Sequence, residues 1–239
     1  MDNQNKYLLL ARRAREENNA EDARKYYDIV RTEDPENAEA KFFYSYYRMM
    51  DGTKGEAYNN FISFCNGMGS TTSMIMGSDY SAEEKRAFFL SMANCLTNAY
   101  EIALSANSAI GGRNGMQIVD AYRATMNKLF STIMVQYQDD EEMLITQYEF
   151  KKYEAERGGH SLKLKYELGD EIMSKYASMP GLVKFTLKMW KKCIETQQRE
   201  YGTSAAKECA GFPAKYAEKI KKYEPNYVIP KKAGCISFG

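Results

Sequence analysis

The sequence predicts an all-α protein, and three observations carry that prediction. Helix breakers are scarce, with 5 Pro and 16 Gly among 239 residues. Apolar side chains recur at helical spacing along nearly the whole chain. Short polar turns interrupt that periodicity at intervals suited to helical hairpins. The one segment with strand character is a short stretch at 227–229.

The first helix is predicted over "NKYLLLARRAREENN", with Tyr7, Leu10, Ala11 and Ala14 on one face. Asn18 and Asn19 end it, because asparagine tolerates the left-handed conformation of a helix stop. A second helix over 20–32 turns Ala23, Tyr26, Tyr27 and Val30 inward. Asp34-Pro35 breaks it, since proline cannot continue one helix but suits the start of another. A third helix over 38–50, "AEAKFFYSYYRMM", is apolar nearly all round and so is expected to pack on two neighbours. Asp51-Gly52 is the next turn. A fourth helix over 54–64 directs Ala57, Tyr58, Phe61 and Ile62 inward.

Two helices every thirty-odd residues is the mark of a helix-hairpin repeat. Residues 4–66 resemble about two tetratricopeptide (TPR) repeats. Tyr7, Leu10, Ala11, Ala23, Tyr27 and Pro35 match the first copy, and Ser45, Gly52, Ala57 and Phe61 the second. The second copy departs from the pattern: Lys41 stands where an early aromatic is expected, Phe64 where a small residue is usual, and Gly69 where a proline closes the repeat. The resemblance implies a protein or peptide partner bound on a concave face. On this chain that face carries Leu8, Arg12, Tyr46 and Met49, with Arg15 at its edge. The lysine and asparagine clamp by which some family members hold a terminal carboxylate is absent, because Leu8 and Arg12 stand in its places. The same face could instead be covered by the long helices that follow.

"NGMGSTTSMIMGSDY", residues 66–80, is expected to be a flexible Met-rich connection. Ser81-Ala-Glu-Glu84 then forms a capping box. It opens a long helix with Phe89, Met92, Leu96, Ala99 and Ala103 on one stripe. "GGRNG", 111–115, turns the chain into a second long helix with Val119, Tyr122, Met126, Leu129, Ile133 and Tyr137 inward, packed antiparallel to the first. Further helices are predicted at 140–157, 166–177, 180–201 and 203–223, and an extended tail at 224–239. The expected organisation is therefore 1–66 repeats, 67–80 connection, 81–223 helical bundle and 224–239 tail.

A net charge of +1 conceals an asymmetry: residues 1–150 hold 15 Lys+Arg against 22 Asp+Glu, and residues 151–239 hold 18 against 10. A basic C-terminal half could meet nucleic acid, anionic lipid or an acidic surface of another copy. Its core is "VKFTLKMWKKC", where Lys184, Lys188, Lys191 and Lys192 share one helical face. Leu182, Phe185, Met189 and Cys193 lie on another, flanked by Trp190. Such a helix can lie on an anionic membrane or in a partner's groove, but a domain helix with a solvated lysine face is the simpler account. Nucleic acid ranks lower, because this half has only Arg157 and Arg199.

Catalytic signals are weak. The single histidine, His160, has no second histidine or cysteine nearby to work with. "SAIGGRNG" lacks the lysine and hydroxyl of a phosphate loop. Asp139, Asp140, Glu141 and Glu142 could hold a cation, but also stand where a helix N-terminus favours carboxylates. Cys65, Cys95, Cys193, Cys209 and Cys235 form no C-x-x-C pair, so neither a zinc site nor a disulfide framework is indicated. No leader-like h-region and no run of roughly 20 apolar residues is present. The expectation is a cytoplasmic, non-catalytic interaction scaffold with no metal or cofactor. Its partner is expected to be a protein, a peptide or a second copy of the chain. Membrane-surface or nucleic-acid binding through the basic half is the alternative.

Overall fold

The computed structural model describes residues 3–157, 161–199 and 203–230, and all of its regular structure is helical. Among these residues there is no strand, so the expectation at 227–229 is corrected: that segment is irregular. The chain divides into two compact units, Met1–Gln136 and Tyr137–Gly239.

Unit 1 contains α1 (Asn3–Glu16), α2 (Ala20–Glu33), α3 (Ala38–Met50), α4 (Ala57–Gly77), α5 (Ala82–Ala109) and α6 (Gly115–Ile133). Consecutive helices pack pairwise, and α4 also packs on α6, and α3 on α5. The turns follow the local chemistry. Asn18 takes the positive φ of 56° that releases the chain from α1. Asn19 accepts the Asp22 N–H at 3.2 Å, and Asn37 the Ala40 N–H at 2.9 Å, at the starts of α2 and α3. The capping box of α5 is complete: the Ser81 N–H donates to Glu84 Oε2 at 2.8 Å and the Glu84 N–H to Ser81 Oγ at 3.2 Å. Phe89, Met92, Leu96, Ala99 and Ala103 of α5 are buried, as are Val119, Tyr122, Met126, Leu129 and Ile133 of α6.

The Met-rich connection expected at 67–80 is corrected. α4 runs without a break through Gly77, and Met68, Thr71, Thr72 and Ile75 are buried. Its small polar residues serve the helix rather than ending it. Thr71 and Thr72 hydroxyls donate to the carbonyls of Gly67 and Met68 four residues back, at 3.2 and 2.8 Å, and Ser73 does the same to Gly69. At Gly69 a Cβ would come within 3.1 Å of Lys128 Nζ on α6, so the glycine leaves room for the end of that lysine side chain. The domain boundary moves accordingly. The long helices at 82–133 belong with the first four, and the division falls after Gln136 rather than at 66–80.

Ala23 is fully buried in α2, which packs on α1 and α3. Ala23→Leu is expected to overpack this contact and cost about 1–3 kcal/mol, read as a lowered urea midpoint for unit 1. An unchanged midpoint would show room at Ala23 that the packing denies.

Unit 2 contains α7 (Glu141–Arg157), α8 (Ser161–Tyr176), α9 (Pro180–Arg199), α10 (Ser204–Glu208) and α11 (Phe212–Lys221). The helix expected over 203–223 is thus two helices, with Gly211 and Pro213 between and at the start of the second. α7, α8 and α9 pack on one another, and α10 and α11 close over α8 and α9. Trp190, Tyr166 and Tyr216 form the centre, with Tyr166 stacked on Tyr216 at 4.3 Å and Trp190 tilted against Tyr216 at 5.1 Å. The Trp190 indole N–H donates to the Tyr166 carbonyl at 3.2 Å.

Candidate functional sites

In unit 1 the expected concave face divides in two. Tyr46 and Met49 are buried, and the Tyr46 hydroxyl accepts from Asn98 Nδ2 of α5 at 2.7 Å. Neither residue is open to a partner, and α5 covers Tyr46. Leu8 is half-buried and stands outside the cleft that Arg12 and Arg15 line. Arg12 and Arg15 do line a cleft. It is a cleft of about 230 Å³ completed by Glu39, Phe43, Tyr80, Glu84, Phe88 and their neighbours on α5.

The cleft is built around a buried carboxylate. Glu39, whose side chain is 5% exposed, lies on the same stripe of α3 as Phe42, Phe43 and Tyr46. It accepts from Arg12 Nε at 3.0 Å and Nη2 at 2.5 Å, and from the Tyr27 hydroxyl at 2.9 Å. The paired bonds to Glu39 hold the Arg12 guanidinium above its ordinary pKa. Burial, with the adjoining Glu39 carboxylate, pushes the Tyr27 phenol strongly upward, so Tyr27 serves as a donor. The second carboxylate of the cleft, Glu84, is committed to the Ser81 cap, and that bond holds it below the usual carboxylate range.

Arg15 is less fully used. Its guanidinium stacks on the Phe43 ring at 4.2 Å. Its Nη1 reaches the Tyr27 hydroxyl at 3.4 Å and Glu39 Oε1 at only 3.7 Å. Among the described residues its Nε and Nη2 make no hydrogen bond. The cleft thus offers unspent donors beside the apolar walls of Phe43 and Phe88. Sequence reasoning found Arg12 and Arg15 but missed Glu39, although a carboxylate on an apolar stripe was itself a signal.

In unit 2 the four lysines lie on one face of α9 as expected. Lys184, Lys188 and Lys192 are exposed, and Lys191 is half-buried in an ion pair with Glu224. Leu182, Met189, Trp190 and Cys193 are buried behind them. A broad groove of about 1170 Å³ runs along this helix. The charge asymmetry is smaller between the two compact units than between residues 1–150 and 151–239. Divided after Gln136, unit 1 carries 15 Lys+Arg and 17 Asp+Glu, and unit 2 carries 18 and 15.

The acidic run at 139–142 spends two of its carboxylates on helix ends. Asp140 Oδ1 accepts the Met143 N–H at 2.9 Å at the start of α7. Glu141 Oε1 reaches across to the start of α9 and accepts the N–H groups of Gly181 and Leu182 at 2.5 and 3.3 Å. No group of three metal-ligating side chains occurs among the described residues. His160, Cys235 and the tail beyond 230 lie outside them. Burial pushes the Cys65 and Cys95 thiols up to about 11 and Cys193 up to about 12, against nucleophilic use. No helix among the described residues is long and apolar enough to cross a membrane.

Comparison with known proteins gave no match to a family model, to a curated protein or to a solved structure.

Proposed function

We propose that the chain is a non-catalytic protein-interaction scaffold whose first four helices are tetratricopeptide-like hairpins, with α5 and α6 as an antiparallel pair completing the unit. Burial supports the repeat reading: Ala11, Ala23 and Tyr27 of the first copy, and Ala57 and Phe61 of the second, are core residues. Since α5 covers Tyr46, the partner is not held along the whole face. It is anchored in the Arg12/Arg15 cleft. The observation that carries this reading is Arg15, fixed on Phe43 with donors unspent while both carboxylates of the cleft are satisfied within the fold. A side chain bearing a carboxylate or carbonyl acceptor, next to an apolar group, fits this cleft.

Panning a phage-displayed random peptide library on the folded protein tests the proposal. Enriched peptides are expected to share an acidic or amide residue beside an apolar one. Arg15→Ala should weaken them about tenfold or more, as the loss of a charge-assisted hydrogen bond does. Ser91→Trp, which fills the cleft wall, should also reduce binding. No enrichment over bare support, or enriched peptides indifferent to both changes, overturns the proposal.

A further inference from the structure

We propose that the groove along α9 in unit 2 binds a small, multiply charged phosphate compound through lysines brought together from three helices. α9 supplies Lys184, Lys188, Lys191 and Lys192, α7 adds Lys152 and α8 adds Lys165, all lining the same groove. Four glutamates, Glu149, Glu156, Glu195 and Glu224, line it as well, so the lining is cationic by two charges.

The pairing within the groove is uneven. Lys191 is taken up by Glu224, and Lys165 lies 3.6 Å from Glu156. Lys152, Lys184, Lys188 and Lys192 have no carboxylate within ion-pair distance among the described residues. Among the described residues Glu149 and Glu195 are also without an ion-pair partner, although they line the same groove. Ammonium groups that gather without carboxylate partners repel one another, and a bound polyanion relieves that repulsion. Two of the contributing lysines are held rather than waving in solvent. Lys165 is 14% exposed, and the Lys152 ammonium sits 5.5 Å over the Phe185 ring.

The chemistry selects the ligand class. Among the described residues no arginine lines the groove, so recognition there rests on lysine ammonium groups, which bind phosphate as point charges. The site is concave with Val183, Phe185 and Tyr223 on its walls, which suits a compact head bearing several phosphates better than a flat membrane or an extended strand. A free polyphosphate compound and a phosphorylated lipid headgroup share this chemistry.

The test is calorimetric titration of the full chain with inositol hexakisphosphate at physiological salt. Beside it runs co-sedimentation with vesicles containing phosphatidylinositol bisphosphate, and with phosphatidylserine vesicles of matched charge. Lys188→Gln with Lys192→Gln should weaken binding by about tenfold or more, from the loss of two ammonium–phosphate contacts. Lys207→Gln with Lys222→Gln removes the same charge outside the groove and should change affinity less than about twofold. Binding of the free compound alone, or of the bisphosphate vesicles in preference to phosphatidylserine, supports the proposal and identifies the source. Absence of binding to every probe, equal loss in both double variants, or equal binding to phosphatidylserine overturns it. So does tighter binding to duplex DNA than to the phosphate probes. None of these outcomes depends on the Arg15 cleft of unit 1.

Discussion

Gly169→Ala is expected to destabilise unit 2 by about 2 kcal/mol, against the usual sign of this change in a helix. Alanine in place of glycine within a helix normally gains about 1 kcal/mol. Gly169, however, is buried in α8. A Cβ there would run into the Trp190 indole nitrogen, with Cε2 at 2.7 Å and Cδ1 at 3.0 Å. The ring cannot step aside cheaply. It packs on Tyr216, which stacks on Tyr166, and its N–H is bonded to the Tyr166 carbonyl. Trp190 is the only tryptophan of the chain, so its fluorescence reads unit 2 directly. The thermal midpoint by that signal should fall by roughly 10 °C. Gly67→Ala on α4 is the counterpart: nothing lies within 4 Å of its Cβ, and it should stabilise by about 0.5–1 kcal/mol. If both substitutions stabilise alike, the close approach of α8 to Trp190 is wrong.

Glu39→Leu is expected to cost unit 1 about 3 kcal/mol. Removing one partner of a buried charge pair usually costs about 3–5 kcal/mol. Here the lower end applies, because Arg12 and Arg15 remain 41% and 34% exposed and water can recover part of their hydration. The fully buried Tyr27 hydroxyl has no such recourse and loses its acceptor. Unit 1 should therefore unfold at a clearly lower urea concentration by circular dichroism, with its unfolding slope unchanged. Arg12→Met in the same chain should recover about 1–2 kcal/mol, because the pair is then replaced and not broken. Strict additivity of the two substitutions would show that Arg12 and Glu39 do not act together, and the cleft would lose its foundation.

The lysine face of α9 and the arginine pair of α1 were legible in the sequence, because helical spacing alone places them. Their surroundings were not. Glu39 sits 27 residues from Arg12, and Lys152 and Lys165 meet the α9 lysines only through the packing of three helices. Nothing in local periodicity reports which side chains from separate helices share a groove.

The sequence by itself determined where most helices begin, which stripes they bury and how the chain turns. Breakers, caps and 3.6-residue periodicity act between near neighbours. Asn18, Asn37, the Ser81–Glu84 box and the Phe89-to-Ala103 stripe all behave accordingly. Tertiary structure decided the matters in which local preference is weak. The segment "NGMGSTTSM" reads as a loop on propensity, yet it is helical, with Met68, Thr71 and Thr72 buried and Gly69 admitting Lys128 of α6. The same packing joined 82–133 to the first unit and moved the boundary to Gln136. It also laid α5 over Tyr46, closing one part of the expected face and leaving Arg12 and Arg15 at the part that stays open. Propensity differences of about 1 kcal/mol per residue cannot resist burial worth several times that, so the long-range contacts settled each of these points.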